Sequence, residues 1–126
     1  MGTRIVATGA VLVGIGVALG AFGAHGLKAR LAPDLLEIYH TGVEYQLCHG
    51  LGIVLLGLFV SQHAAAGAPA GTSLAFWSFL AGVVLFSGSL YVLSLTGVRW
   101  LGAITPLGGL AFLVGWASFA WAALQR

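Results

Sequence analysis

The side chains best suited to chemistry are concentrated in one short stretch that contains His40, Glu44, Tyr45 and His49. If this stretch is helical, His40 and Glu44 fall on one stripe, and Tyr45 and His49 form a second pair beside it. A carboxylate among imidazole rings can handle protons or bind a ligand. The same residues can instead form a polar clamp that only fixes neighbouring helices, so the sequence leaves both a pocket and a clamp open.

Metal or haem ligation is a second chemistry that these residues raise. The potential ligands are His25, His40, His49 and Glu44. Glu37 and His40 have the Glu-x-x-His spacing of di-iron helical bundles, but such a site needs two of these motifs and further glutamates. The chain contains no glutamate besides Glu37 and Glu44, which excludes a complete di-iron site within one chain. A haem between helices stays an alternative, and no metal or cofactor is expected.

Further polar side chains interrupt the apolar sequence in the second half of the chain. Ser87, Ser89 and Tyr91 can hydrogen-bond across helices or to their own backbone, and Thr105 precedes the last apolar segment. The candidate residues of the pocket or clamp are therefore His25, His40, Glu44, Tyr45, His49, Ser87, Ser89, Tyr91 and Thr105. The sequence has no phosphate-binding glycine loop, nucleophile elbow or Ser/His/Asp arrangement. No catalytic residue is assigned, and a non-enzymatic role is favoured without excluding an enzyme.

The composition indicates that the solvent of this chain is lipid. Of its 126 residues, 60% are hydrophobic and only 6% are charged, with a mean hydropathy of +1.04. Soluble domains carry about 25% charged residues, so a soluble fold could not cover its surface with this sequence. The five basic residues are scattered, which argues against nucleic-acid binding. Cys48 is the sole cysteine, so an intrachain disulfide is impossible.

Four apolar segments are long enough to cross a bilayer, which takes about 20 residues each. They cover residues 5–27, 41–61, 73–95 and 101–124 approximately. The predicted fold is an all-α membrane protein, a single domain over 1–126 built as a bundle of four transmembrane helices. A short interfacial connector joins helices 1 and 2, with a new helix start near Pro33. Gly16 and Gly20 form a GxxxG pair, which predicts close packing of helix 1.

Glu44 is expected to lie inside the bundle rather than to face lipid. A carboxylate at the bilayer centre costs roughly 2.5–3.5 kcal/mol on insertion scales, and a partner on a neighbouring helix offsets that cost. The short connector should make helices 1 and 2 an antiparallel pair. His25 and His49 are the first expected partners of Glu44, with Lys28 and Arg99 as alternatives.

Several motifs occur together in an order that resembles a known family. They are GAFGAHGL at 20–27, YQLCHGL at 45–51, LFSGSLY at 85–91, ITPLGG at 104–109 and GW at 115–116. Their order and spacing resemble the family called domain of unknown function 423, also described as the YgdD-like or transmembrane protein 256 family. The resemblance extends over essentially the whole chain.

The resemblance implies a small protein of the bacterial inner membrane, with relatives in organisms that have mitochondria. It implies no activity, because the family is named for lacking a known one. The family pattern draws attention to residues that are largely those selected above: His25, Tyr45, His49, Ser87, Ser89, Tyr91, Thr105 and Pro106.

Three functions are compatible with the sequence. The favoured one is an accessory or structural subunit that packs in the bilayer against a larger membrane complex or in a homo-oligomer. Small size, glycine-rich helices and the lack of a catalytic set support it. The alternatives are a small oligomeric carrier or channel for a solute, lipid or proton, and a membrane redox or enzyme subunit. Four helices are few for a transporter, and a redox subunit needs a cofactor.

Overall fold

Four long helices make up nearly all of the computed structural model, which describes residues 1–125. Helix 1 is Gly2–Leu27, helix 2 is Pro33–Gln62, helix 3 is Thr72–Thr96 and helix 4 is Arg99–Leu124. Each is long and apolar enough to cross a membrane. The described residues contain no strand. The predicted all-α bundle of four transmembrane helices is therefore confirmed.

Helix 2 is longer than its predicted span because it begins at Pro33. Proline is tolerated at the first helical position, where its missing N–H would have no partner. Asp34 follows in the first turn, where a negative charge is favourable. The connector after helix 1 is consequently only residues 28–32. Arg99 at the start of helix 4 forms an exposed ion pair with Asp34, at 2.7 Å between nitrogen and oxygen.

Helices 1 and 2 are in backbone contact along a glycine seam. Helix 1 buries glycines at intervals of seven residues: Gly2, Gly9, Gly16 and Gly23. A methyl group added at Gly9 would lie 2.6 Å from the carbonyl oxygen of Gly50, and one at Gly57 would lie 2.6 Å from the backbone nitrogen of Val6. Glycine-mediated packing of helix 1 was predicted, but the buried repeat is seven residues rather than four.

Helices 3 and 4 interlock by a different device, in which aromatic rings of one helix cover glycines of the other. Phe79 lies against Gly115 and Phe112 against Gly82. The two helices also meet at Gly108, where an added methyl group would collide with the backbone of Phe86. Phe79 and Phe112 belong to the main apolar core, together with Ile53 and Leu56 of helix 2.

The packing order of the helices leaves one side of the bundle open. Helix 1 packs on helix 2, helix 2 on helix 3, and helix 3 on helix 4, whereas helices 2 and 4 are not in close backbone contact. Aromatic side chains bridge the space between helices 2 and 4, as in the pairs Tyr45–Phe112 and His49–Phe112. A cleft therefore runs between these two helices.

Candidate functional site

His49 is the polar side chain that connects helix 2 to helix 4. It is only 5% exposed, and its ring stacks on Phe112 with 3.4 Å between centroids and 10° between planes. Its Nδ1 lies 2.8 Å from the carbonyl oxygen of Tyr45, and its Nε2 lies 3.0 Å from the indole Nε1 of Trp116. Because an indole N–H can only donate, Nε2 must be the acceptor and Nδ1 must carry the proton.

This geometry assigns His49 a neutral imidazole in one tautomer. Both ring nitrogens already have partners, so neither can bind a metal or receive a proton unless a hydrogen bond to Tyr45 or Trp116 is broken. In this arrangement His49 holds helices 2 and 4 together across the cleft while one edge of the ring lines it.

A second polar cluster links helices 1, 2 and 3. Gln46 is 3% exposed; its amide nitrogen donates to the carbonyl oxygen of Leu12 at 2.9 Å, and its amide oxygen accepts from the Tyr91 hydroxyl at 2.6 Å. Tyr39, whose ring lies beside that of Tyr91, donates to the carbonyl oxygen of Leu19 at 2.5 Å. These bonds fasten helices 1, 2 and 3 to one another over about two helical turns.

Hydroxyl groups make the remaining polar links between helices. Ser87, which is fully buried at the end of a π-helical turn in helix 3, donates to the carbonyl oxygen of Gly42 at 2.7 Å. The hydroxyls of Ser89 and Thr105 lie 2.8 Å apart and join helix 3 to helix 4. Within residues 1–125, every buried side-chain nitrogen and oxygen has a hydrogen-bond partner. The buried polar side chains are therefore all hydrogen-bonded within the described part of the chain.

Glu44 lies on the outside of the bundle, and the expectation that it lies inside was wrong. Its carboxylate makes no hydrogen bond or ion pair with any other described residue. The helical period explains its position. Gln46 faces the core, and Glu44 is two residues away, which is about 200° around the helix axis. Glu44 belongs to an exposed stripe with Cys48, Leu51, Leu55 and Leu58.

The other predicted partners of Glu44 are also engaged elsewhere or lie apart from it. His25 is exposed in the π-helical last turn of helix 1. His40 is half-buried, with its ring edge-on to Tyr39 at 5.9 Å between centroids. Arg99 pairs with Asp34. In the part of the chain that the structure describes, no three His, Cys, Asp or Glu side chains are grouped so as to hold a metal ion.

The predicted site residues therefore separate into distinct places instead of one pocket. Tyr45 and His49 contact Phe112 of helix 4, Tyr91 joins the cluster around Gln46, and Ser87 and the Ser89–Thr105 pair bond helices to each other. His25 and Glu44 face outwards.

Gln46 was missed in the sequence, although a signal for it exists. Tyr39, Gln46, Ile53 and Val60 recur every seven residues, and all four are buried. That period marks the core-facing stripe of helix 2 and places Gln46 on it. The role of Trp116 had no comparable signal, because its contact with His49 depends on how helix 4 docks.

The cleft between helices 2 and 4 has a volume of about 670 Å³ and opens on the side of the bundle. Its walls include Tyr45, Cys48, Phe86, Gly109, Leu113 and Trp116. A smaller recess of about 290 Å³ shares Tyr45, Cys48 and His49 with it and is bounded by Glu44. Glu44 therefore stands at the edge of a largely aromatic and aliphatic cleft.

Two adjacent glycines in helix 4 mark the difference between core and cleft. A methyl group at Gly108 would collide with the backbone of Phe86, whereas one at Gly109 would meet only the Phe86 ring, at 3.9 Å. Gly108 is thus required by packing within the chain. Gly109 is not, and its missing side chain leaves the cleft floor low.

Helix length gives the depth of Glu44 in the bilayer. Helix 2 has 30 residues and is about 45 Å long at about 1.5 Å per residue, against a hydrocarbon core of about 30 Å. Glu44 lies eleven residues after Pro33, which is about 16 Å along the axis. In a helix centred on the bilayer, Glu44 is then about 9 Å inside the hydrocarbon edge.

These features define a class of protein, a four-helix integral membrane protein with internally satisfied polar groups and a recess on its side. The chain belongs to the family described as Protein of unknown function (DUF423), whose sequence profile matches residues 19–109. The family resemblance found in the sequence is therefore confirmed.

Curated relatives carry names that give a location and no activity. The chain is 44% identical over 117 residues to "UPF0382 membrane protein YwdK" of Bacillus subtilis, covering 93% of both chains. It is 44% identical over 108 residues to "UPF0382 membrane protein SH2409" of Staphylococcus haemolyticus, covering 86% of this chain and 84% of the relative. No solved structure matches the chain. The protein is thus an integral membrane protein with bacterial relatives.

Proposed function

We propose that this protein is an accessory membrane subunit that packs sideways against another membrane protein through the cleft between helices 2 and 4. The observation that carries the proposal is the cleft itself, a recess of about 670 Å³ on the flank of the bundle. Gly109 deepens the cleft because it has no side chain, and packing within the chain does not require a glycine there.

Packing in lipid follows rules that favour such a surface. Lipid tails are as apolar as leucine, so helices associate through close fit, small residues and polar contacts rather than through hydrophobicity. The cleft offers a low glycine floor between the rings of Tyr45 and Trp116, with Glu44 at its edge. The outer face of helix 1 exposes Val11, Ile15 and Val17, and none of them lines the cleft.

The carrier alternative has less support from the arrangement of the interior. A carrier or channel needs a polar route through the bundle, but every buried polar side-chain atom of the described residues already has a hydrogen-bond partner. Helices 1 and 2, between which a polar pocket was expected, are in contact through their backbones at Gly9 and Gly50.

A redox or enzyme subunit has less support for a similar reason. It would need a cofactor ligand, and the buried imidazole of His49 uses both nitrogens within the chain. Exposed His25 and half-buried His40 lie in different surroundings from His49.

A matched pair of glycine substitutions tests the proposal. Gly109 and Gly14 both have space for a larger side chain, but Gly109 lines the cleft whereas Gly14 is exposed on helix 1 with nothing within 4 Å. We expect Gly109→Leu to fill the cleft and to lower co-purification of the partner at native expression by at least about tenfold, equivalent to about 1.4 kcal/mol. Gly14→Leu should leave it unchanged.

The measurement is quantitative mass spectrometry of proteins bound to the tagged chain in mild detergent, with thermal unfolding of both variants as the stability control. If Gly109→Leu and Gly14→Leu retain the same associated proteins as the parent, the cleft is not the docking surface. If the parent itself has no associated membrane protein, the accessory role is wrong.

A further inference from the structure

Glu44 is the acidic side chain that lies deepest in the membrane. The chain's other two acids are Asp34 and Glu37, which stand in the first turns of helix 2. Glu44 lies about 9 Å inside the hydrocarbon edge of a centred helix and faces away from the bundle. Acidic side chains within transmembrane segments nearly always face a bundle interior or a cavity and have a partner.

The chain's own cations cannot serve as that partner. The described basic residues all lie near helix ends or in the first connector: Arg4, Lys28, Arg30 and Arg99. Arg99 is already paired with Asp34. None of the residues that line the cleft beside Glu44 has a fixed positive charge.

A second copy of the chain does not supply the missing charge either. In a symmetric dimer inserted in the same direction, each residue meets residues of similar depth on the other copy. At the depth of Glu44, the described cleft surface offers Tyr45, Cys48, His49 and Glu44 itself. Both ring nitrogens of His49 are already bonded within its own chain, so it is not free to act as the cation. Two facing carboxylates would repel each other unless they shared a proton.

The shape of the cleft matches a third helix lying between helices 2 and 4. On helix 4, the lining residues Gly109, Leu113 and Trp116 follow one another at spacings of four and three residues, which is the stripe that one helix presents to another. The glycine lets a partner backbone come close, and small residues at such contacts are typical of membrane helix pairs.

We infer that the cleft binds a transmembrane helix of a different protein, and that this helix carries a basic side chain level with Glu44. The inference rests on the proposed function and adds the chemistry of the partner. The ion pair forms where the aromatic walls and the partner helix exclude lipid, and it sets the depth and register at which the helix docks. Charge complementarity across an interface suppresses wrong partners and fixes register.

Site-specific photocrosslinking tests the inference. A photoreactive amino acid replaces Leu113, which is exposed at the cleft, and in a control it replaces Val11 on the outer face of helix 1. Both are introduced into the parent, Glu44→Gln and Glu44→Lys backgrounds in native membranes. The adducts are identified by mass spectrometry. Because Glu44 is exposed, Glu44→Gln should not change the folding of the chain, and thermal unfolding checks this.

We expect one protein adduct from position 113 that is absent from position 11. Its yield should fall several-fold in Glu44→Gln and at least about tenfold in Glu44→Lys, which corresponds to about 1.4 kcal/mol. The crosslinked partner peptide should contain Lys, Arg or His near the adduct. When that partner residue is exchanged for Glu, the adduct should return in the Glu44→Lys background. With the parent chain, the same exchange should lower the yield of the adduct.

The outcomes separate the two proposals. An adduct at position 113 that is equally strong in all three Glu44 backgrounds overturns the basic partner and leaves the docking function standing. An adduct between two copies of this chain also overturns the basic partner. If position 113 gives adducts with lipid alone, or no protein adduct beyond that of position 11, the docking function itself is wrong.

Discussion

Helix 2 has two faces that differ in how completely the chain itself covers them. Toward helix 1 its backbone touches the neighbouring backbone at Gly50 and Gly57, so no lipid or ligand can enter. Toward helix 4 only side chains bridge the gap, and a cleft remains between Tyr45 and Trp116. The first face accounts for the fold, and the second is the face on which a partner can act.

The glycines of helices 1 and 4 have two opposite roles. At Gly9 and Gly108 a methyl group would strike a neighbouring backbone, so the residue is needed for the chain to fold. At Gly14 and Gly109 a methyl group meets open space or an ordinary contact. A glycine-rich membrane sequence therefore contains both structural positions and positions whose small size is available for binding.

The largest loss of stability is expected from a substitution that forces apart the backbone contact between helices 1 and 2. In Gly9→Ala the new methyl group would lie 2.6 Å from the carbonyl oxygen of Gly50, which forces the helices apart. Overpacking of this kind costs roughly 1–3 kcal/mol. Unfolding by a denaturing detergent in mixed micelles measures the loss. Gly14→Ala is the control and should be neutral or slightly stabilising; equal losses in the two variants would contradict the backbone contact.

A smaller effect is expected from the polar cluster that joins helices 1, 2 and 3. Tyr91→Phe removes the hydroxyl that donates to Gln46 at 2.6 Å and leaves the buried amide oxygen without that partner. We expect a loss of about 1 kcal/mol in the free energy of unfolding, in the range found for polar contacts between membrane helices. Tyr45→Phe is the matched control, since Tyr45 is 41% exposed and its hydroxyl bonds to no described residue. A larger loss in Tyr45→Phe than in Tyr91→Phe would reverse this assignment.

The smallest change in the free energy of unfolding is expected for the hydrogen bond between Trp116 and His49, which bridges the cleft. This bond can also be followed by spectroscopy. Trp116→Phe removes the indole donor of His49 Nε2 and should cost about 0.6 kcal/mol, the average for such contacts in membranes. Nitrogen-15 NMR of labelled histidine should assign the proton to Nδ1 of His49 in the parent at neutral pH. After Trp116→Phe the Tyr45 carbonyl should keep the proton on Nδ1, while the Nε2 shift should move toward that of an imidazole nitrogen that accepts no hydrogen bond. A parent spectrum with the proton on Nε2 would refute the bridge as described.

Composition and hydrophobic length were enough to predict the helices, because four apolar segments in lipid have few alternatives. The position of Glu44 was not predictable from energetic cost alone. The free-energy cost of placing a carboxylate in the bilayer indicates that it needs a partner. It does not indicate whether that partner belongs to the same chain. The seven-residue spacing of Tyr39, Gln46 and Ile53 contains the missing information, since it fixes which side of helix 2 faces the core.

The cleft had no signal in the sequence. It exists because helix 4 packs on helix 3 and is joined to helix 2 only by side chains such as Trp116. The packing of helix 4 on helix 3 depends on how Phe79, Phe86 and Phe112 fit against glycines of the neighbouring helix. That fit is a property of the assembled helices. Residues that act within one helix were therefore accessible to sequence reasoning, and those that depend on docking were not.

The most direct test of the central claim is a comparison of lipid exposure at the two outer faces of the bundle. A diazirine dissolved in the bilayer labels side chains that contact lipid, and mass spectrometry locates the label. In native membranes at native expression, the cleft peptide with Leu110 and Leu113 should be protected, while the helix 1 peptide with Val11 and Val17 should be labelled. All four residues are exposed in the single chain, so the purified protein in liposomes should label at both peptides. Equal labelling of the cleft peptide in native membranes and in liposomes would contradict a partner in the cleft.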